Sequence, residues 1–148
     1  MQVVLENEAL KVTISSFGAE LASIWGKATD TEYLWNADAK FWKRTAPVLF
    51  PFVGSLKNKE YHYEGKTYSM GQHGFARDME FAVDVQTATE AWFSLQSNEE
   101  TKAKFPLEFI LKIGYELEGK ELKVIWQVEN PDTKTLYFSI GGHPAFMC

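Results

Sequence analysis

Two of the three histidines in this chain of 148 residues stand where the backbone can bring an imidazole close to a ligand. His73 lies in Met70–Arg77 (MGQHGFAR), between Gly71 and Gly74. His143 lies in Ser139–Phe146 (SIGGHPAF), after Gly141 and Gly142 and before Pro144. Glycine has no Cβ and permits close backbone approach. An imidazole, with an ordinary pKa of about 6.5, gives or takes a proton near neutral pH. Two of them on one hollow would form a proton-transfer pair. Arg77 follows in the same motif and offers a planar fork of donors suited to a hydroxyl or a phosphate. Gln72 and Phe75 flank His73. His62, in the alternating run YHY, reads as a surface or cross-strand residue.

Plainer readings stand beside these. A lone histidine in a β protein is commonly a hydrogen-bonded structural residue, and Arg77 has Asp78 and Glu80 nearby as surface partners. Pattern alone leaves both alternatives open. Two histidines without carboxylates at ligand spacing do not make a metal set. Cys148, as the last residue, has no framework to orient a nucleophile. There is no P-loop and no GxGxxG, so no cofactor is indicated.

The elements that must position these groups read as strands. Period-two alternation dominates, and helical periodicity is nearly absent. Strands are expected at Glu8–Ser15, Glu20–Trp25, Glu80–Gln86, Ala91–Gln96, Glu108–Leu117, Glu121–Glu129 and Thr135–Ile140. Lys59–Met70 reads as a hairpin turning at Glu64-Gly65-Lys66. Asn98–Lys104 is the one helical candidate, ended by Pro106. Strands this regularly spaced predict an antiparallel all-β sandwich or barrel, in one domain over residues 1–148. Arg44–Ser55 (RTAPVLFPFVGS) breaks the alternation. Pro47 and Pro51 cannot donate to a ladder, so it is either a stiff cavity wall or a loop buried between sheets.

Composition sets the outer limits. Hydrophobic residues make up 45% and charged residues 24%, a globular balance. The formal net charge of -5 leaves no surplus of cations to displace counterions from a nucleic acid. No apolar run reaches the length of a membrane span, and the first residues carry no leader pattern. The single cysteine fits a reducing, cytoplasmic setting. Aromatic residues reach 15%; such rings fill β cores and also stack on the C–H faces of sugars.

The ordered set of motifs is more specific than any one of them. Ala46–Phe81 (APVLFPFVGSLKNKEYHYEGKTYSMGQHGFARDMEF) resembles the signature of the aldose 1-epimerase superfamily. The resemblance is to its galactose-mutarotase-related and hexose-6-phosphate epimerase branches, which share an HGFAR-type motif. Ser15–Ile24 (SSFGAELASI), Glu32–Trp35 (EYLW), Tyr115–Asn130 (YELEGKELKVIWQVEN) and SIGGHPAF fit the same branches in the same order. The resemblance implies a galactose mutarotase-like β-supersandwich. It also implies acid/base ring opening that interconverts the α and β anomers of a hexose or hexose phosphate.

Carried onto this chain, His73 matches the histidine that binds the sugar near its ring oxygen. His143 matches the general acid at that oxygen, so both are expected at the catalytic centre. Arg77 matches the arginine that lines the site and holds phosphate in sugar-phosphate relatives; Gln72 and Phe75 flank the substrate. Many relatives carry an arginine where Ser55 stands here, with Lys57 as a substitute cation. Family members are longer, and their base is a later glutamate whose motif has no match in this chain. The resemblance therefore implies the N-terminal portion of such a domain, with impaired turnover on its own. Its uncovered sheet surface would be closed by a second copy. A non-catalytic carbohydrate-binding or sensing module is the alternative.

Overall fold

The computed structural model describes residues 1–148. One sheet is built from β1 (Gln2–Glu6), β2 (Leu10–Ser15), β3 (Glu20–Gly26) and the short β4 (Thr31–Glu32), in that order. Two small ladders follow. The first involves β5 (Val48–Leu49), and the second is the hairpin β6 (Glu60–Tyr63) and β7 (Lys66–Ser69). A second four-stranded sheet comprises β8 (Ala82–Gln86), β9 (Glu90–Gln96), β10 (Ile110–Glu118) and β11 (Glu121–Glu129), ordered β11-β10-β9-β8. Between β9 and β10 runs the single α-helix, α1 (Glu99–Lys104), and β12 (Gly141–Gly142) pairs with β5. Every ladder between these strands is antiparallel. The chain is all-β, as its alternation predicts.

That alternation decides which face is inside. Val3 and Leu5 of β1, Val12 and Ile14 of β2, and Leu21 of β3 turn inward. They join Phe93, Leu111, Ile113 and Tyr115 of the other sheet in one hydrophobic cluster of 24 buried residues. The Tyr115 hydroxyl crosses the core to donate to the Ala19 carbonyl at 2.7 Å. The β6–β7 turn is Glu64-Gly65, with φ of 46° and 75°, the positive values that a two-residue hairpin turn requires. Helix α1 is closed at its start by a capping box between Asn98 and Thr101.

Two differences from the sequence reading have local causes. Thr135–Ile140 forms no ladder; only Gly141–Gly142 pairs, against Val48–Leu49, and Ser139 N–H donates to the Pro51 carbonyl. The segment facing it carries Pro51, which has no N–H to extend the pairing. β2 begins at Leu10 rather than Glu8, because the Asn7 side chain accepts from the N–H groups of Ala9 and Leu10 in a tight turn. Strand β1 was not expected: the run Val3-Val4-Leu5 blurs the period-two signal.

Candidate active site

The segment from Pro47 to Gly54 is the template on which the site is assembled, and it acts through its main chain. At one end, the Gly142–Val48 pairing lets His143 N–H reach the Pro47 carbonyl at 3.2 Å. At the other end, His73 N–H donates to the Gly54 carbonyl at 2.8 Å. Between them, the Phe50 carbonyl accepts from both Phe75 and Ala76, at 3.0 and 3.1 Å. Gly74 permits this approach: its φ is 75°, and a Cβ there would lie 2.1 Å from the Phe50 oxygen. Both readings of Arg44–Ser55 hold, each for different residues. Val48 and Phe50 belong to the core cluster, while Pro47 and Leu49 wall a cleft.

That cleft, about 190 Å³ in volume, is lined by Trp42, Pro47, Leu49, Gln72, His73, Arg77 and His143. The structure therefore brings together both histidines, Arg77 and Gln72. The two imidazole centroids lie 6.2 Å apart. Phe75 is not on this surface: it is 5% exposed and packs against Phe50, Phe105 and Phe109 in the core. The expectation that it flanks a substrate is corrected on that ground. The chain turns into a 3₁₀ turn at Ala76–Asp78, which sends the ring inward. Ser55 and Lys57 do not line the cleft either. His62 sits away from it, facing Thr67 across the β6–β7 hairpin at 2.9 Å.

The protonation of His73 follows from its neighbours. Gly54 N–H donates to His73 Nδ1 at 2.9 Å. A backbone amide can only donate, so Nδ1 accepts and the ring proton sits on Nε2. Burial lowers the His73 pKa, and the nearby Arg77 and His143 lower it further. The ring is thus a neutral imidazole offering one N–H. His143 differs: its main chain is fixed, but its ring has no protein hydrogen bond and meets the Trp42 ring edge-on, with centroids 5.1 Å apart.

Arg77 is packed into the wall, its side chain 19% exposed. One terminal nitrogen donates to the Gln72 carbonyl at 2.8 Å. Nε is buried without a hydrogen bond, 3.7 Å from Asp78 Oδ2. Asp78 is itself bound by Arg44, whose guanidinium also reaches the Arg77 carbonyl at 3.1 Å and Glu20 at 3.4 Å. Glu20 in turn accepts the N–H groups of Thr45 and Ala46. Sequence reasoning missed Trp42, Arg44 and Glu20. The FGAEL and EYLW motifs mark this neighbourhood without saying what the side chains touch.

An antiparallel β-sandwich here gathers two imidazoles and a guanidinium on one small cleft, groups able to move a proton and to hold a polar or anionic ligand. The chain belongs to the aldose 1-epimerase family, whose sequence model matches residues 1–148. It is 38% identical over 154 residues to the chromosomal protein LacX of Lactococcus lactis subsp. lactis, across all of this chain and 51% of LacX. Among solved structures, a galactose mutarotase related enzyme from Lactobacillus acidophilus superposes with a TM-score of 0.97 at 45% identity. That match covers 99% of this chain and 49% of the enzyme. A galactose mutarotase-like protein from Lactobacillus casei gives 0.95 at 42% identity, over 99% and 50% of the two chains. The chain thus spans about half the length of these relatives.

Proposed function

We propose that this chain forms the sugar-holding, acid-donating side of a site that interconverts the anomers of a hexose or hexose phosphate. The observation that carries this reading is the His73–His143 pair, 6.2 Å apart on one cleft with Gln72 and Arg77, in a member of the aldose 1-epimerase family. Ring opening moves a proton off the anomeric hydroxyl while another reaches the ring oxygen. His143, whose ring nitrogens are free of protein partners, serves as the acid at the ring oxygen. His73, with Nδ1 committed to Gly54, donates Nε2–H to a neighbouring sugar oxygen and holds the ring in place. Gln72 lines the same cleft and adds a polar contact, while Arg77 meets a hydroxyl or a phosphate.

No carboxylate lines the cleft, so no base for the anomeric hydroxyl is present there. In our reading the residues of this chain bind sugar and accelerate exchange only weakly by themselves. A lone thiol suits the reducing cytoplasm as its setting; no helix of the structure is long and apolar enough to cross a membrane. The outer edge of β11 makes no main-chain hydrogen bonds, with Val124 and Trp126 exposed beside it. A second copy on that edge is the homo-oligomer we expect, and light scattering that stays monomeric at high concentration would rule it out.

Exchange NMR of glucose and galactose anomers tests the central reading. Positioned proton transfer contributes a factor of roughly 10²–10⁴. His143→Asn should therefore return any acceleration to the buffer rate while circular dichroism stays unchanged. Acceleration that survives this substitution refutes the assignment. Sugar resonances that shift without faster exchange reduce the cleft to a binding site. Arg77→Ala should erase any preference for a hexose 6-phosphate over the free hexose; an unaltered preference removes the phosphate role.

A further inference from the structure

His143 is anchored through its main chain, yet no hydrogen bond orients its ring. Working imidazoles are usually aimed by a second hydrogen bond, from the other ring nitrogen to a carboxylate or carbonyl. Here one side of the residue borders the polar cleft. The other borders an apolar hollow of about 150 Å³, lined in part by Leu21, Val48, Tyr115, Val124 and Trp126. In neither does a side chain hydrogen-bond the ring. The aromatic neighbours are His73 and the nearer Trp42, whose ring lies at 60° to the imidazole plane.

Trp42 is not a free loop residue. It lies between β4 and β5, outside any strand or helix, but its carbonyl accepts Trp35 Nε1–H at 2.8 Å and its N–H donates to Asp38. Trp35 is fixed in turn, its N–H donating to the Ala145 carbonyl at 2.9 Å, and Leu34 bridges to Phe146. The strap from Leu34 to Trp42 is therefore fastened to the two residues that follow Pro144. It presents an indole to the imidazole on the same stretch of chain. An aromatic edge set against a ring face is a directional contact that fixes a tilt.

We propose that Trp42, pinned by Trp35, is the positioning residue that aims the His143 imidazole into the cleft. The proposal rests on the reading of His143 as the acid, and it also gives the EYLW motif a task. It makes distinct demands on three substitutions. Trp42→Leu keeps apolar bulk and removes the aromatic plane. Trp42→Phe keeps the plane. Trp35→Phe removes the indole N–H that fastens the strap and keeps a smaller aromatic ring in its place.

Protein labelled with ¹³C-histidine supplies the test, with His62 as an internal reference on its remote hairpin. Loss of a ring current alone moves chemical shifts, so orientation is read from cross-relaxation between the His73 and His143 ring protons. Trp42→Leu should abolish that cross-peak and lower kcat for anomer exchange roughly tenfold or more, with little change in KM. Trp42→Phe should restore both, and Trp35→Phe should shift both part of the way towards the leucine variant. An intact cross-peak with unchanged kcat in Trp42→Leu overturns the proposal, as does a phenylalanine variant no better than leucine. Absence of anomer exchange in the unaltered protein would sink the functional reading alone, because the cross-peak still decides the positioning claim.

Discussion

Gly74→Ala is the substitution most sharply specified by the structure. Two separate costs meet at this position. The backbone has φ of 75°, a left-handed conformation that costs an L residue about 1–2 kcal/mol. The added Cβ would also fall 2.1 Å from the Phe50 oxygen, which is main chain and cannot swing aside. Relieving that overlap moves the carbonyl away from Phe75 and Ala76 N–H, and such hydrogen bonds contribute about 0.5–1.5 kcal/mol each. The total is about 2–5 kcal/mol. Gly65→Ala is the control, since its φ is also 75° but nothing lies within 4 Å of its Cβ, leaving only the conformational cost of about 1–2 kcal/mol. Urea titration of both variants reads the difference through the midpoint at constant slope. In a chain of this size the larger loss corresponds to a Tm fall of roughly 5–15 °C. If the two alanine variants lose the same stability, the close approach of Gly74 to Phe50 is not a feature of the folded protein.

Two further outcomes follow from the same contacts. The His73 imidazole should titrate below 6.5 in a proton NMR series, because burial and Arg77 disfavour its cation. A folded-state pKa lowered in a histidine means that its contribution to stability is full above 6.5 and is lost as pH falls through the folded value. A midpoint at or above 6.5 contradicts the burial of this ring beside Arg77. Tyr115→Phe should cost about 1–3 kcal/mol in denaturant titration, since it leaves the Ala19 carbonyl without its buried donor; a neutral substitution would mean that this link between the sheets is dispensable.

Much of the sandwich is legible in the chain because its strands keep one face inward. Leu10, Val12 and Ile14 announce β2, and Glu121–Glu129 is a strand over its full expected length. The Glu64-Gly65 turn and the short helix within Asn98–Lys104 were equally visible, since each is decided by residues within a few positions. Thr135–Ile140 misled because strand-like residues do not supply a pairing partner, and the chain opposite them carries Pro51, which has no N–H to donate. Gln72, His73, Arg77 and His143 were identifiable as candidates from glycine-flanked motifs. Their convergence was not, because it depends on carbonyls of Pro47 and Gly54 contributed by a distant, irregular segment. Trp42 and Arg44 carried no local signal: a tryptophan and an arginine in a loop look alike whether they face solvent or steady a neighbour. Phe75 was the opposite case, a residue whose motif placed it beside the site while its backbone turned it into the core.

The Pro47–Gly54 template has an evolutionary consequence. Because peptide groups, common to every residue type, hold the main chain of both histidines, the spacing of the site is set by where the Pro47 and Gly54 carbonyls stand. Deletion or insertion of a single residue would slide one anchoring carbonyl by a full step relative to the other and pull the histidines out of mutual register, so the length of this stretch is what descent must preserve.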